Sequence, residues 1–418
     1  MRGERLEKDE SLGTMESEAQ ATPLPALPPT PPPAAEPLSR PLVLIMAVAT
    51  GLAVACNYYA QPLLPTLARD LGLSTTKAGI IVTTAQLGYA AGLLFIVPLG
   101  DLFERRRLIV SMTLLAAAGL LVTALAPAIP MVLVGTALTG LFSVVAQLLV
   151  PFAATLASPE KRGKVVGIVM SGLLLGILLA RTVAGILTSL GGWRTVYWAG
   201  SGAMILVAIV LQRALPRYHQ PLGLSYARLM GSILTLYREE PVLRTRALLG
   251  AAIFGAFSVL WTTMAFLLAG PPHHLPPATI GLFGLAGAAG ALAATAAGRL
   301  ADRGLGRWAT GGGLTILCLS WLPLAYGARS LGVFLLGVLL LDLAIQGIHI
   351  SNQTALYRIR PEARNRLTAA YMTSYFLGGA LGSVSAAWAF SHHGWLGAVA
   401  VGTAFSVCGG LAWVLGER

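Results

Sequence analysis

The sequence predicts an all-α integral membrane protein of twelve transmembrane helices, arranged as two pseudo-symmetric six-helix bundles. Three observations predict it. Of 418 residues, 56% are hydrophobic and 11% charged, with a mean hydropathy of +0.73, well outside the range of soluble domains. The apolar residues gather in runs of about 20 or more, the length that crosses about 30 Å of hydrocarbon as a helix. The second half of the chain also repeats features of the first at an offset of 202 residues.

Residues 1–40 include ATPLPALPPTPPPAAEP, whose prolines and lack of apolar periodicity predict a disordered tail. Six spans follow at 41–63, 78–99, 108–127, 130–152, 165–189 and 194–213, the N-terminal bundle of 41–213. A basic connection, 214–246, joins it to the C-terminal bundle of 247–418. The spans there are expected at 247–269, 279–299, 308–327, 330–352, 368–390 and 395–415. Cys56, Cys318 and Cys408 fall inside spans far apart in sequence, without disulfide or metal spacing.

The net charge of +12 would suggest nucleic acid in a soluble chain, but its distribution reads as topology. One set of alternate connections, with both termini, carries 24 of the 29 Lys and Arg; the other side carries Arg69, Lys77, Arg194 and Arg329, and Arg181 lies within a span. The positive-inside rule therefore places both termini in the cytoplasm, with the chain in an inner membrane and no nucleic-acid partner.

The repeat aligns PEKRGK at 159–164 with PEARNR at 361–366, Gly192-Trp193 with Gly394-Trp395, and Gly176 with Gly378; at an offset of 201, Asp101 meets Asp302. The two copies share one orientation, which fits halves related by an axis along the membrane normal, with a site between them near mid-bilayer.

The stretch PLGDLFERRRL at 98–108, between the second and third spans, resembles the signature of the major facilitator superfamily, Gly-x-Leu-x-Asp-x-x-Gly-Arg-Arg, with Val97 and Glu104 at its glycine positions. Its repeat, GRLADRGLGRW at 298–308, resembles the signature's opening more closely. NYYAQPLLP (57–65) and GILLARTVAG (176–185) are similar to bacterial drug or sugar efflux permeases. The resemblance implies a secondary transporter of a small organic solute, monomeric and without cofactor, working by alternating access. Proton-coupled efflux, with the proton gradient as energy source, is the first expectation, and a metabolite or sugar carrier the alternative. It also implies that spans one, four, seven and ten line the cavity. In the signature loops, Asp101 with Arg105 and Arg106, and Asp302 with Arg303 and Arg307, are expected to latch one conformation.

The stretch VLLLDLAIQGIHISNQT (338–354) places Asp342, Gln346, His349 and Gln353 at steps of four, three and four, one stripe of a helix. An ionised carboxylate at a helix centre costs about 2.5 to 3.5 kcal/mol on insertion scales, so Asp342 is expected to face protein or water. It reads either as a proton carrier or as a charge locked in a network. His349 reads as a proton or substrate group, or as a hydrogen-bonded structural residue. Arg181 suits a carboxylate, that of Asp342 or of a substrate, or else backbone carbonyls. Asn57, Tyr58, Gln61, Gln86, Gln147 and Trp261 complete the candidate binding set; Tyr58 and Trp261 read equally as interfacial anchors. Glycines 172, 176, 378 and 382, spaced small-xxx-small, are expected where the halves rock.

An enzyme is poorly supported. No His-Glu-x-x-His or ATP-binding Gly-x-x-x-x-Gly-Lys motif occurs, and His273/His274 and His392/His393 fall in expected outer loops. A transport-dead sensor is the remaining alternative, and it predicts that Asp342 and Arg181 are dispensable.

Overall fold

A computed structural model describes residues 39–219, 225–287, 306–360 and 363–416. Among them the regular structure is helical throughout. The N-terminal half contains α1 (Arg40–Ala55), α2 (Leu64–Asp70), α3 (Thr75–Ala91), α4 (Arg105–Ala124), α5 (Ile129–Phe142), α6 (Val145–Leu156), α7 (Arg162–Gly191) and α8 (Trp193–Ala214). A short α9 (Tyr226–Glu239) lies in the central connection. The C-terminal half contains α10 (Pro241–Ala269), α11 (Pro277–Leu282), α12 (Gly306–Ala325), α13 (Leu331–Tyr357) and α14 (Arg364–Gly416). Nine helical segments of the described residues are long and apolar enough to cross a bilayer. One of them, in α14, is two spans folded at Gly394. With Arg40–Ala55 and the segment beginning at Pro277, the described residues accord with twelve spans. Most of the expected eighth span, 279–299, lies outside the described residues.

Several spans are broken rather than straight. The second passes from α3 through a π-helical turn at Gly92–Ile96 into a 3-10 turn at Val97–Asp101. The fourth breaks between α5 and α6, where Ser143 accepts the Asn57 amide at 2.8 Å and donates to the Gly140 carbonyl at 3.2 Å. Such breaks are tolerated in lipid because side chains take up the freed backbone groups.

The sequence repeat has a structural counterpart. Gly192 (φ 79°) turns the chain from α7 into α8, and Gly394 (φ 63°) turns α14 on itself. That left-handed region is open to glycine at little cost. The tryptophans that follow, Trp193 and Trp395, are both buried.

The packing glycines sit elsewhere than expected. Gly172 and Gly176 on α7 meet Ala47 and Gly51 on α1, while Gly378 and Gly382 on α14 meet Ala251 and Gly255 on α10. They bring helices together within each half, where backbone contact replaces side-chain burial. The contact between halves is made by α3 against α14 and by α7 against α11. There Gly79 faces Ala387, and a Cβ on Gly281 would stand 2.5 Å from the Arg181 carbonyl oxygen. Hydroxyl pairs line the α3 seam, Thr76 with Ser391 at 2.8 Å and Thr83 with Ser383 at 2.7 Å. Thr182 on α7 donates to the Gly281 carbonyl at 3.0 Å.

Candidate functional site

These seams join the halves at one end, and at the other the halves enclose a cavity of about 610 Å³. Its mouth carries Asp101, Arg105, Tyr357 and Arg366, in and beside the connections rich in Lys and Arg, and its inner end carries Arg181 and Asp342. The α13 stripe faces it, because steps of four, three and four keep side chains within one face of the helix. Asp342, Gln346, His349 and Gln353 all line the wall.

Asp342 is only 4% exposed, and its Oδ1 accepts the indole N–H of Trp261 at 3.4 Å. Arg181 is 3% exposed. Its Nε donates to Gln61 Oε1 at 2.6 Å. Its guanidinium carbon stands 3.7 Å from the centre of the Trp261 ring, 4.8 Å from that of Tyr58 and 5.5 Å from that of Phe257. Arg181 and Asp342 form no direct ion pair. Trp261 touches both, offering its electron-rich face to the cation and its N–H edge to the carboxylate. The expected contact between the two charges is therefore mediated by an aromatic ring.

His349 is held on both sides. Its Nδ1 lies 2.9 Å from the Tyr371 hydroxyl and its Nε2 lies 3.2 Å from the Gln353 amide nitrogen. Asn352 links the same hydroxyl, at 3.4 Å, to Arg246, whose Nη1 donates to it at 3.3 Å. The imidazole reaches the cavity as part of a fixed network.

Four of the candidate binding residues fall outside the wall. Asn57 is turned into its own half toward Ser143. Gln61 accepts from Arg181 behind the wall, and Trp261 is buried there too. Gln86 donates to Ser258 at 3.0 Å in the α3–α10–α14 interface. Spacing along one buried helix cannot say which neighbouring helix covers each face. Tyr58 and Gln147 do line the cavity, Gln147 donating to the Tyr89 hydroxyl at 3.5 Å.

The sequence reading missed an aromatic group. Phe254 stacks on Tyr375 with ring centres 4.1 Å apart, and Tyr89 meets Phe376 across the halves at 4.4 Å. The signal was there in part, since Phe254, Phe257 and Trp261 step by three and four along α10.

At the mouth, Asp101 pairs with Arg105 at 3.8 Å. Arg105 also lies over Phe152 and Tyr218, at 5.7 and 5.4 Å, and donates to Thr155 at 3.2 Å. Arg106 donates instead to the Leu215 carbonyl at 3.3 Å, within the N-terminal half. Arg307 is exposed at the start of α12. Asp302 and Arg303 lie outside the described residues. Glu104, at a glycine position of the signature, caps α4 by accepting from the N–H groups of Arg106, Arg107 and Tyr218. Burial raises its pKa, but those N–H groups and the Arg106 charge outweigh this and hold the carboxyl below its usual range.

Residues 46–383 match the sequence family described as the Major Facilitator Superfamily. The chain belongs to the major facilitator superfamily. Among superfamily relatives it is 60% identical over 376 residues to the uncharacterized transporter YgaY of Escherichia coli O157:H7, covering 90% of this chain and 95% of that one. It is 36% identical over 368 residues to the transporter SCO4007 of Streptomyces coelicolor, covering 87% and 85%. Its fold is similar to the crystal structure of a bacterial homologue of the human lysosomal transporter Spinster, at 16% identity and a TM-score of 0.73, covering 90% of this chain and 96% of that one. The chain is thus a multi-pass membrane transporter of small molecules, and not an enzyme. Among the described residues no group of His, Cys, Asp or Glu is arranged to hold a metal.

Proposed function

We propose that this superfamily member couples the movement of a small organic solute to protons, with Asp342 as the proton-carrying group. The observation that carries the reading is a carboxylate 4% exposed, at the inner end of a cavity, answered by an indole N–H rather than by a cation in contact. Such a group gains and loses a proton as its surroundings change between the two states of an alternating-access cycle. The cavity is open at the end carrying the basic connections, which the positive-inside rule assigns to the cytoplasm of an inner-membrane protein. Two readings of the solute are in play. Aromatic walls suit efflux of an amphipathic compound, the first expectation from the sequence. Arg181, a cation beside the same cavity, suits a metabolite carrier. Of the candidate groups, Tyr58, Gln147, Gln346, His349 and Gln353 are assigned to solute contact, and Asp101 with Arg105 to the conformational latch.

The test is accumulation of a panel of dyes, antibiotics, sugars and organic acids, in cells stripped of their own efflux pumps and expressing wild type or Asp342→Asn, with and without a protonophore. The reading expects accumulation of some compound to change with wild type, and both the substitution and the protonophore to remove the change. A change that survives both would overturn proton coupling.

A further inference from the structure

Arg181 carries a charge that its surroundings answer only in part. A guanidinium offers five N–H donors in a rigid fork. Gln61 takes the Nε hydrogen, Trp261 and Tyr58 cover the cation's faces, and Nη2 is buried with no hydrogen-bond partner. A buried charged donor left unpaired is costly, and carboxylates and sulfonates fit the fork well. The same cavity is walled by the rings of Tyr58, Tyr89, Phe254, Phe257, Tyr375 and Phe376, drawn from both halves. Such a wall accepts a flat apolar body. At the mouth Arg105 and Arg366 stand with one carboxylate, Asp101, so the entrance also favours negative solutes.

We propose that the transported solute is an aromatic organic anion, its acid group docked on Arg181 and its ring lying among these side chains. This rests on the reading of the cavity as the transport site.

The geometry also orders the charges. Arg181 and Asp342 share the Trp261 indole as a common wall, so one guanidinium serves two anions if Asp342 is ionised while the solute is bound. The charged and titratable groups around Asp342 are Arg181 on α7, Tyr58 beyond α1, Tyr89 on α3, Tyr375 on α14 and His349 on its own helix, with Trp261 donating from α10. Arg181 is the one permanent cation among them. The anion therefore binds with Asp342 protonated, and solute and proton travel in the same direction. Under an inward proton gradient such coupling drives uptake and not the efflux first expected from the sequence.

The experiment compares one ring system in three charge states, 1-naphthoate, 1-naphthamide and 1-naphthylmethylammonium, by the thermal shift each gives the purified full-length protein in detergent. Naphthoate is expected to stabilise wild type, more at pH about 6 than at about 8, although it stays ionised at both. Asp342→Asn is expected to bind it without that pH dependence, and Arg181→Gln to weaken binding at least about tenfold. Should Arg181→Gln not fold, the wild-type charge series decides alone. Stabilisation by the amide or the ammonium equal to or above that by naphthoate, or by none of the three, overturns the anion proposal. In those cases the cell assay still judges proton coupling separately. Naphthoate binding without protonophore-sensitive transport would leave the anion site standing and remove the proton-coupled reading.

Discussion

Arg181 stands 3.7 Å over the ring of Trp261, and the N–H of that same ring points at Asp342. The indole is the shared neighbour of the two intramembrane charges. It touches both charges, where no direct ion pair joins them. Trp261 is 1% exposed, so its ring also fills core volume.

Trp261→Leu is therefore expected to cost about 2 to 4 kcal/mol, from cavity formation and loss of the cation–π contact. Trp261→Phe retains a ring face and is expected to cost less than half as much. Melting of the two variants in one detergent checks this. Equal melting temperatures for Leu and Phe would mean that the ring face contributes nothing.

The seam between halves makes a conformational prediction. Thr83 and Ser383 share a hydrogen bond of 2.7 Å at the closed end of the cavity. Cysteines placed at both positions are expected to cross-link under mild oxidation and to hold that end shut. Transport should stop and should return with a reductant, because alternating access requires this end to open. Undiminished transport by fully cross-linked protein would show that the seam does not part.

Glu104 predicts a pH effect outside the membrane. Its pKa is depressed, so its capping contribution is fully present above the ordinary glutamate value near about 4.3 and is lost as pH falls through its lower folded value. Glu104→Ala is expected to cost about 0.5 to 2 kcal/mol at neutral pH, as for other N-cap losses. The gap in melting temperature from wild type should narrow below pH about 4. A gap that stays constant into acid would assign the effect to something other than the charge.

The central helix α9 ties the halves together. Tyr226 donates to the Phe95 carbonyl at 2.9 Å, in the π-helical turn of the second span, and Tyr237 donates to the Ala370 carbonyl at 2.7 Å on α14. Tyr237→Phe is expected to cost about 0.5 to 1.5 kcal/mol. It should also raise hydrogen exchange along α9 while leaving α13 unchanged. Faster exchange in α13 would mean that α9 braces the cavity wall as well.

The sequence by itself determined the helices, their approximate ends, the duplication and the alternation of basic and non-basic connections. These follow from hydrocarbon thickness, from the twofold repeat and from the asymmetry of Lys and Arg, all of which are local or additive along the chain. It also determined the stripe Asp342, Gln346, His349 and Gln353, because residues at such spacing share a helix face whatever lies opposite. Only the tertiary structure decided which other polar residues join that stripe. Tyr58 lines the cavity and its neighbour Asn57 turns into the bundle; Gln147 lines it and Gln86 is spent on Ser258 between helices. A helix surrounded by other helices has several buried faces, and nothing in its own spacing says which of them meets empty space. The same reason hid the indole shared by Arg181 and Asp342, since three helices must converge before one ring can touch two charges.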